Sequence, residues 1–176
     1  MKRMIVALVG LVVLGAAAAA QPRAIGVRAG WSGELSFQYT TKDFQFLEVD
    51  LGSVNWGENY NGFKATATYN FIFSQPQWTP RGEWAWYAGV GPMLGVAHVL
   101  GHHRDKDGEY EPPYNYFLLC AAPVFGLEYT FWFPLQLSVD IRPPFGFSFG
   151  RGDYRGFYLD GMIFGFIPSL SVRYRF

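Results

Sequence analysis

Residues 135–149 read LQLSVDIRPPFGFSF, and the alternation is unbroken. Leu135, Leu137, Val139, Ile141, Pro143, Phe145, Phe147 and Phe149 share one face of an extended chain. Gln136, Ser138, Asp140, Arg142, Pro144, Gly146 and Ser148 share the other. A period of two is the signature of a strand that sits between two different media. The segment 116–131 repeats it, with Phe117, Leu119, Ala121, Pro123, Phe125, Leu127, Tyr129 and Phe131 on one face and Gly126 and Glu128 on the other. In FKATATYNFIF (63–73), Phe63, Tyr69, Phe71 and Phe73 oppose Lys64, Thr66, Thr68 and Asn70. In the final SLSVRYRF, Leu170, Val172, Tyr174 and Phe176 oppose Ser169, Ser171, Arg173 and Arg175.

Extended along the chain, the pattern predicts eight strands near 24–31, 34–41, 44–55, 62–74, 84–99, 116–131, 135–149 and 157–176. The connections 42–43, 75–83 and 132–134 fall at one end. Those at 32–33, 56–61, 100–115 and 150–156 fall at the other, and three of these are richer in charge, Gly and Tyr. Several strands exceed the roughly 9–11 residues that carry a tilted strand across a bilayer. Short turns at one end and elaborate loops at the other are the asymmetry of a transmembrane barrel. Phe71, Phe73, Trp78, Trp84, Trp86, Phe131, Trp132, Phe133, Tyr174 and Phe176 gather at the short-turn end. Trp31, Trp56, Tyr60, Tyr154, Phe157 and Tyr158 gather at the other, as two interfacial rings would. The expected fold is all-β: an eight-stranded antiparallel up-and-down transmembrane β-barrel.

Alternation alone does not say which face is inside. A soluble barrel buries its apolar face. Here the polar face carries Gly26, Gly30, Gly89, Gly91, Gly95 and Gly126, which suits a crowded interior better than a solvated surface. The charges on that face are Arg28, Glu34, Glu48, Asp50, Lys64, Glu128, Asp140, Arg142, Arg173 and Arg175, five acids and five bases. Eight strands leave a bore just wide enough for side chains to fill. Unpaired charges there would be costly, so a paired lumen network is expected. Arg142, Arg173 and Asp140 belong to it by strand order, barrel closure brings Arg28 near, and Arg173 and Arg175 turn toward acids such as Asp140 and Glu128.

Composition agrees. Of the 176 residues 50% are hydrophobic and 19% aromatic, with only 16% charged, against about 25% in a typical soluble domain. Lys2 and Arg3 precede an apolar run from Met4 to Ala20 that ends in small residues. Residues 1–20 read as a cleavable helical signal peptide of the Sec type, leaving 21–176 as one barrel domain. Without Lys2 and Arg3 the 14 basic residues become 12, against 14 acidic, so nucleic acid is not an expected partner. Beyond residue 20 no apolar run reaches the length of a membrane helix. Cys120 stands alone, which excludes an internal disulfide.

Candidate chemistry is sparse. His102, His103, Asp105, Asp107, Glu109 and Glu111 share one loop, but adjacent histidines in a polar loop make no defined cage, and Gly108 is misplaced for a calcium loop. His98 could serve a lipid-facing hydrolase, yet the alternation turns it outward and Ser148 inward. Arg151-Gly152-Asp153 spells an adhesion tripeptide inside GRGDYRG, which also has the composition of a tight hairpin loop. Cys120 reads as a packed small hydrophobe. Pro92, Pro123, Pro143 and Pro168 predict bulges or breaks.

With the alternation, the leader and the ending Val172-Arg173-Tyr174-Arg175-Phe176 in view, the chain resembles small outer-membrane β-barrel proteins of the OmpA/OmpX type over about residues 24–176. AIGVRAGW and WAWYAGVGPMLG are similar to the first and fifth strands of that group's many uncharacterised members. The resemblance implies that Val172, Tyr174 and Phe176 form the signal read by the barrel-assembly machinery. It implies a bacterial outer-membrane location and a monomer among outer-membrane lipid. The expected role is structural or surface-interactive, through loops 56–61, 100–115 and 150–156, with no catalytic site, cofactor or metal. A lipid-binding or lipid-modifying barrel is the alternative, a narrow channel for small solutes the third reading, and a soluble exported barrel the fourth.

Overall fold

Ten ladder segments carry the alternation: β1 (Arg23–Ala29), β2 (Gly33–Lys42), β3 (Gln45–Asn55), β4 (Tyr60–Ser74), β5 (Glu83–Val99), β6 (Tyr114–Thr130), β7 (Leu135–Ile141), β8 (Phe145–Gly150), β9 (Arg155–Leu159) and β10 (Ser169–Arg175). They come from a computed structural model that describes residues 23–30, 32–55, 60–99, 114–150, 155–159 and 168–176. The signal peptide read in residues 1–20 lies outside the described residues. So do Trp31, Trp56 and Tyr154 of the second aromatic ring.

From β1 to β6 each strand pairs antiparallel with the next, and β6 pairs with both β7 and β8. β7 pairs with β10, and β10 returns to β1. The sheet is therefore closed, an eight-stranded barrel in which β7 with β8, and β9 with β10, each make one stave. Closure matters physically because it leaves no row of unpaired backbone groups around the wall. The seam ends in reciprocal bonds between Arg23 and Phe176: Arg23 N donates to Phe176 O at 3.2 Å, and Phe176 N to Arg23 O at 2.9 Å.

Two proline sites answer the expectation of breaks in different ways. Pro92 and Pro123 keep their pairs in the β5–β6 ladder, but each lies in a gap of the ladder on its strand's other side, between Val90 and Met93 toward β4 and between Ala121 and Phe125 toward strand seven. Pro143-Pro144 interrupts strand seven, but Phe125 pairs with Ile141 and Ala121 with Phe145. Four steps on one strand match four on the other, so the register passes through the prolines unchanged. Prolines there cost ladder donors without inserting a residue.

Strand eight differs from the single run expected over 157–176. Asp140 pairs with Ser169 and Phe145 with Leu159, so five steps on strand seven face ten on strand eight. The five additional residues fall between β9 and β10. An odd offset reverses the face on which odd-numbered residues lie, so one alternation phase does not span the stave.

The turns explain themselves locally. Asp43 and Phe44 join β2 to β3, a residue later than expected, with Phe44 at φ 66° and Ile72 N donating to Phe44 O at 2.8 Å. The β4–β5 connection is stapled by aromatic rings. Trp78 lies 5.4 Å from Trp84 and 6.3 Å from Trp86, measured between centroids. Trp84 Nε1 donates to Thr79 Oγ1 at 3.1 Å, and Tyr129 Oη to Arg81 O at 2.9 Å. Gly82 closes it at φ 75°, a conformation that disfavours side chains.

Polarity is inverted relative to a soluble barrel. Leu35 is 65% exposed and Phe147 56%, while Glu48 is fully buried and Asp140 1% exposed. Apolar side chains also enter the bore at two places: Phe46, Tyr87 and Val124 in one cluster, Met93, Leu118, Cys120 and Ala122 in another.

Candidate functional site

The inward residues of β1, β2, β3, β4 and β7, together with Arg142 and β10, converge on one ionic layer. Arg28 donates to Asp140 through Nη2 at 2.7 Å and to Glu34 through Nη1 at 3.1 Å. Lys64 Nζ lies 2.8 Å from Glu34 Oε1, which also accepts from Ser32 Oγ at 2.8 Å. Arg142 spans the bore to β3: Nη2 donates to Glu48 Oε1 at 2.7 Å, and Nη1 donates to Asp50. Its Nε lies 3.7 Å from Asp140 Oδ1. Arg173 Nη2 lies 2.9 Å from Glu48 Oε1, while Nε and Nη1 donate to Ser36 and Ser138 at 2.9 and 2.8 Å. The layer thus holds Arg28, Lys64, Arg142 and Arg173 against Glu34, Glu48, Asp50 and Asp140. Its charge balances without help from solvent.

Why these partners and not others follows from strand order. β3 lies across the bore from Arg142, so only a long side chain such as arginine reaches Glu48 and Asp50 from there. Arg28 meets Asp140 because β10 alone separates β1 from β7. Arg173 lies between β1 and β7 and is satisfied by Glu48 and two serines rather than by Asp140 or Glu128. The bonds of Arg28 to Glu34 and Asp140 and of Arg142 to Glu48 and Asp50 are charge-assisted bonds in a water-poor interior, where such bonds are shortest and strongest.

Two of the ten inward charges stand apart. Glu128 Oε2 accepts from Gln38 Nε2 at 3.0 Å, and Gln136 Nε2 donates to Gln38 Oε1. Arg175 makes no ion pair among the described residues. Both line a cavity of about 160 Å³ at the short-turn end, together with Glu83 and Thr130. The expected contact of Arg175 with Asp140 or Glu128 is therefore replaced by an amide relay, Gln136 to Gln38 to Glu128.

Sequence reasoning did not single out Tyr87. It is fully buried, and its hydroxyl donates to Asp140 Oδ2 at 3.3 Å. Its ring meets Phe46 edge-on at 5.2 Å. Gly126 makes the room: a Cβ there would fall 2.9 Å from Asp140 Cβ and against the Tyr87 ring. The signal was available in the parity of β5, where Tyr87 is the one large residue on a face of Ala85, Gly89 and Gly91.

The remaining candidates are placed as follows. Cys120 is a buried thiol within the Met93–Leu118–Ala122 cluster. His98 Nδ1 lies 2.6 Å from Asn115 Oδ1, at a part-exposed site on the outer wall. Ser148 belongs to the opposite parity on β8, where Phe145, Phe147 and Phe149 are the exposed residues. The histidine–acid loop and Arg151-Gly152-Asp153 lie outside the described residues. Among the described residues no group of His, Cys, Asp and Glu could hold a metal ion. Val172, Tyr174 and Phe176 point outward on the wall.

No protein-family model matches the chain, and none of the curated proteins does. Among solved structures, the N-terminal β-barrel domain of Pseudomonas aeruginosa OprF is similar. The likeness covers 89% of this chain and 96% of that one, with a TM-score of 0.52 and 15% sequence identity. At this identity the likeness is one of fold alone, that of a closed antiparallel β-barrel of eight strands.

Proposed function

We propose that the protein is an integral outer-membrane barrel with a structural or surface-interaction role, its lumen closed by the paired charges. The observation that carries this reading is the inverted polarity of the wall. Ile25, Val27, Leu35, Phe63, Phe71, Phe117, Phe147 and Leu170 are exposed around the barrel while its charges are buried. Soluble monomers rarely expose apolar patches beyond roughly 300–600 Å², and a girdle of exposed apolar side chains on every stave but β3 suits acyl chains. In this reading residues 1–20 direct export, outer-membrane lipid is the surrounding partner, and Val172, Tyr174 and Phe176 present the signal to the assembly machinery. Loops 56–61, 100–115 and 150–156 offer the surface for contact with other molecules.

A bore crossed by Arg142 and Arg173 speaks against a conducting channel. The outward His98, held by Asn115, and the inward parity of Ser148 speak against a hydrolase. Expression with fractionation tests the reading. The protein should sediment with the outer membrane, resist alkaline extraction and migrate faster on gels when unheated. Recovery as a soluble periplasmic protein would refute it.

A further inference from the structure

The structure assigns a second site: we propose that the cavity at the short-turn end binds a small zwitterion of the α-amino-acid class. Eight inward charges neutralise one another in the ionic layer. The two left over, Arg175 and Glu128, line the same cavity, and Arg23 and Glu83 join them there. Around the wall Arg23 stands on strand one, Arg175 beside it on strand eight, Glu128 on strand six and Glu83 on strand five. A cation therefore faces carboxylates across the bore, the polarity a bound zwitterion would complete in reverse.

Size and depth agree with that class. About 160 Å³ holds roughly five waters at their liquid volume, enough for an amino acid and too little for a nucleotide. The floor is built, since Gln136, Gln38 and Glu128 are buried and joined in one hydrogen-bonded relay. The ionic layer lies beyond it, so the cavity is a dead end and not the mouth of a channel. Amide and hydroxyl groups on the wall, Gln38, Gln136 and Thr130, favour a polar side chain on the solute. Arg175 would take the α-carboxylate, and Glu128 with Glu83 the α-ammonium, each as a charge-assisted bond. The site requires only the folded barrel and is independent of the membrane assignment.

The test is calorimetric titration of the refolded protein in detergent with L-glutamine, L-glutamine α-amide and N-acetyl-L-glutamine. The two derivatives each keep one charge of the pair. L-glutamine should bind, and each derivative should bind at least about tenfold more weakly, the loss of one charged hydrogen bond. Arg175→Gln should lose discrimination against the α-amide, and Glu83→Gln should weaken L-glutamine while preserving heat-modifiable mobility. Both residues lie outside the ionic layer, so the fold should survive. Equal binding of the three compounds, no binding of L-glutamine up to about 50 mM, or wild-type affinity in both variants would overturn the proposal.

Discussion

Arg142 stands beside the two prolines of strand seven and holds Glu48 and Asp50 from across the bore. Its neighbours are committed to it, because Asp50 has no other ion pair among the described residues. Arg142→Met should therefore cost about 3–5 kcal/mol, since it leaves the buried Asp50 without an ion pair and Glu48 with Arg173 alone. Adding Asp50→Asn should recover much of that loss, because the demand disappears together with the supply. Urea unfolding in lipid vesicles measures both. A single-variant loss below about 1 kcal/mol would mean that the layer is a solvated surface pair. The ten charges of this layer and the mouth were legible as inward residues, because parity alone fixes the face. Their pairing was less legible. Closure brought Arg28 near the network without naming its partner, Arg142 with β3 crosses the bore, and strand order does not specify which side chains span it.

At the scale of elements, strands were legible wherever both faces keep their character over many residues, as in β4, β6 and β7. Strand eight was not. Its five additional residues reverse the phase between β9 and β10, and a composition mixing Gly, Phe and Ile on both parities conceals an odd insertion. The prolines were legible as local breaks but not in extent: Pro92 and Pro123 each interrupt the ladder on one side of their strand only, and the register continues past both. The β4–β5 connection carries the clearest element-scale prediction. Gly82→Ala places a Cβ at positive φ and against the Tyr129 ring. It should cost about 2 kcal/mol. Gly33→Ala, whose Cβ would meet nothing within 4 Å, should be close to neutral. Urea midpoints for the two variants in one lipid separate strain from a general intolerance of glycine replacement. Equal midpoints would remove the turn from the account.

For the whole molecule the decisive property is which face the wall turns outward. Glycines and balanced charges on one parity made the inside recognisable in the sequence, and the closed sheet places those charges in the bore. The consequences share one cause: because the bore is narrow its charges pair, and because they pair it is closed, so the outer face carries the apolar surface. The most direct test asks what that face touches. In a Cys120→Ala background, single cysteines at Leu35, Val139 and Phe147, each labelled with an environment-sensitive fluorophore, are reconstituted into vesicles. Bromine-labelled acyl chains should quench all three labels, and aqueous iodide should quench none. Strong iodide quenching with no effect of brominated lipid would place the apolar wall in water and contradict the account.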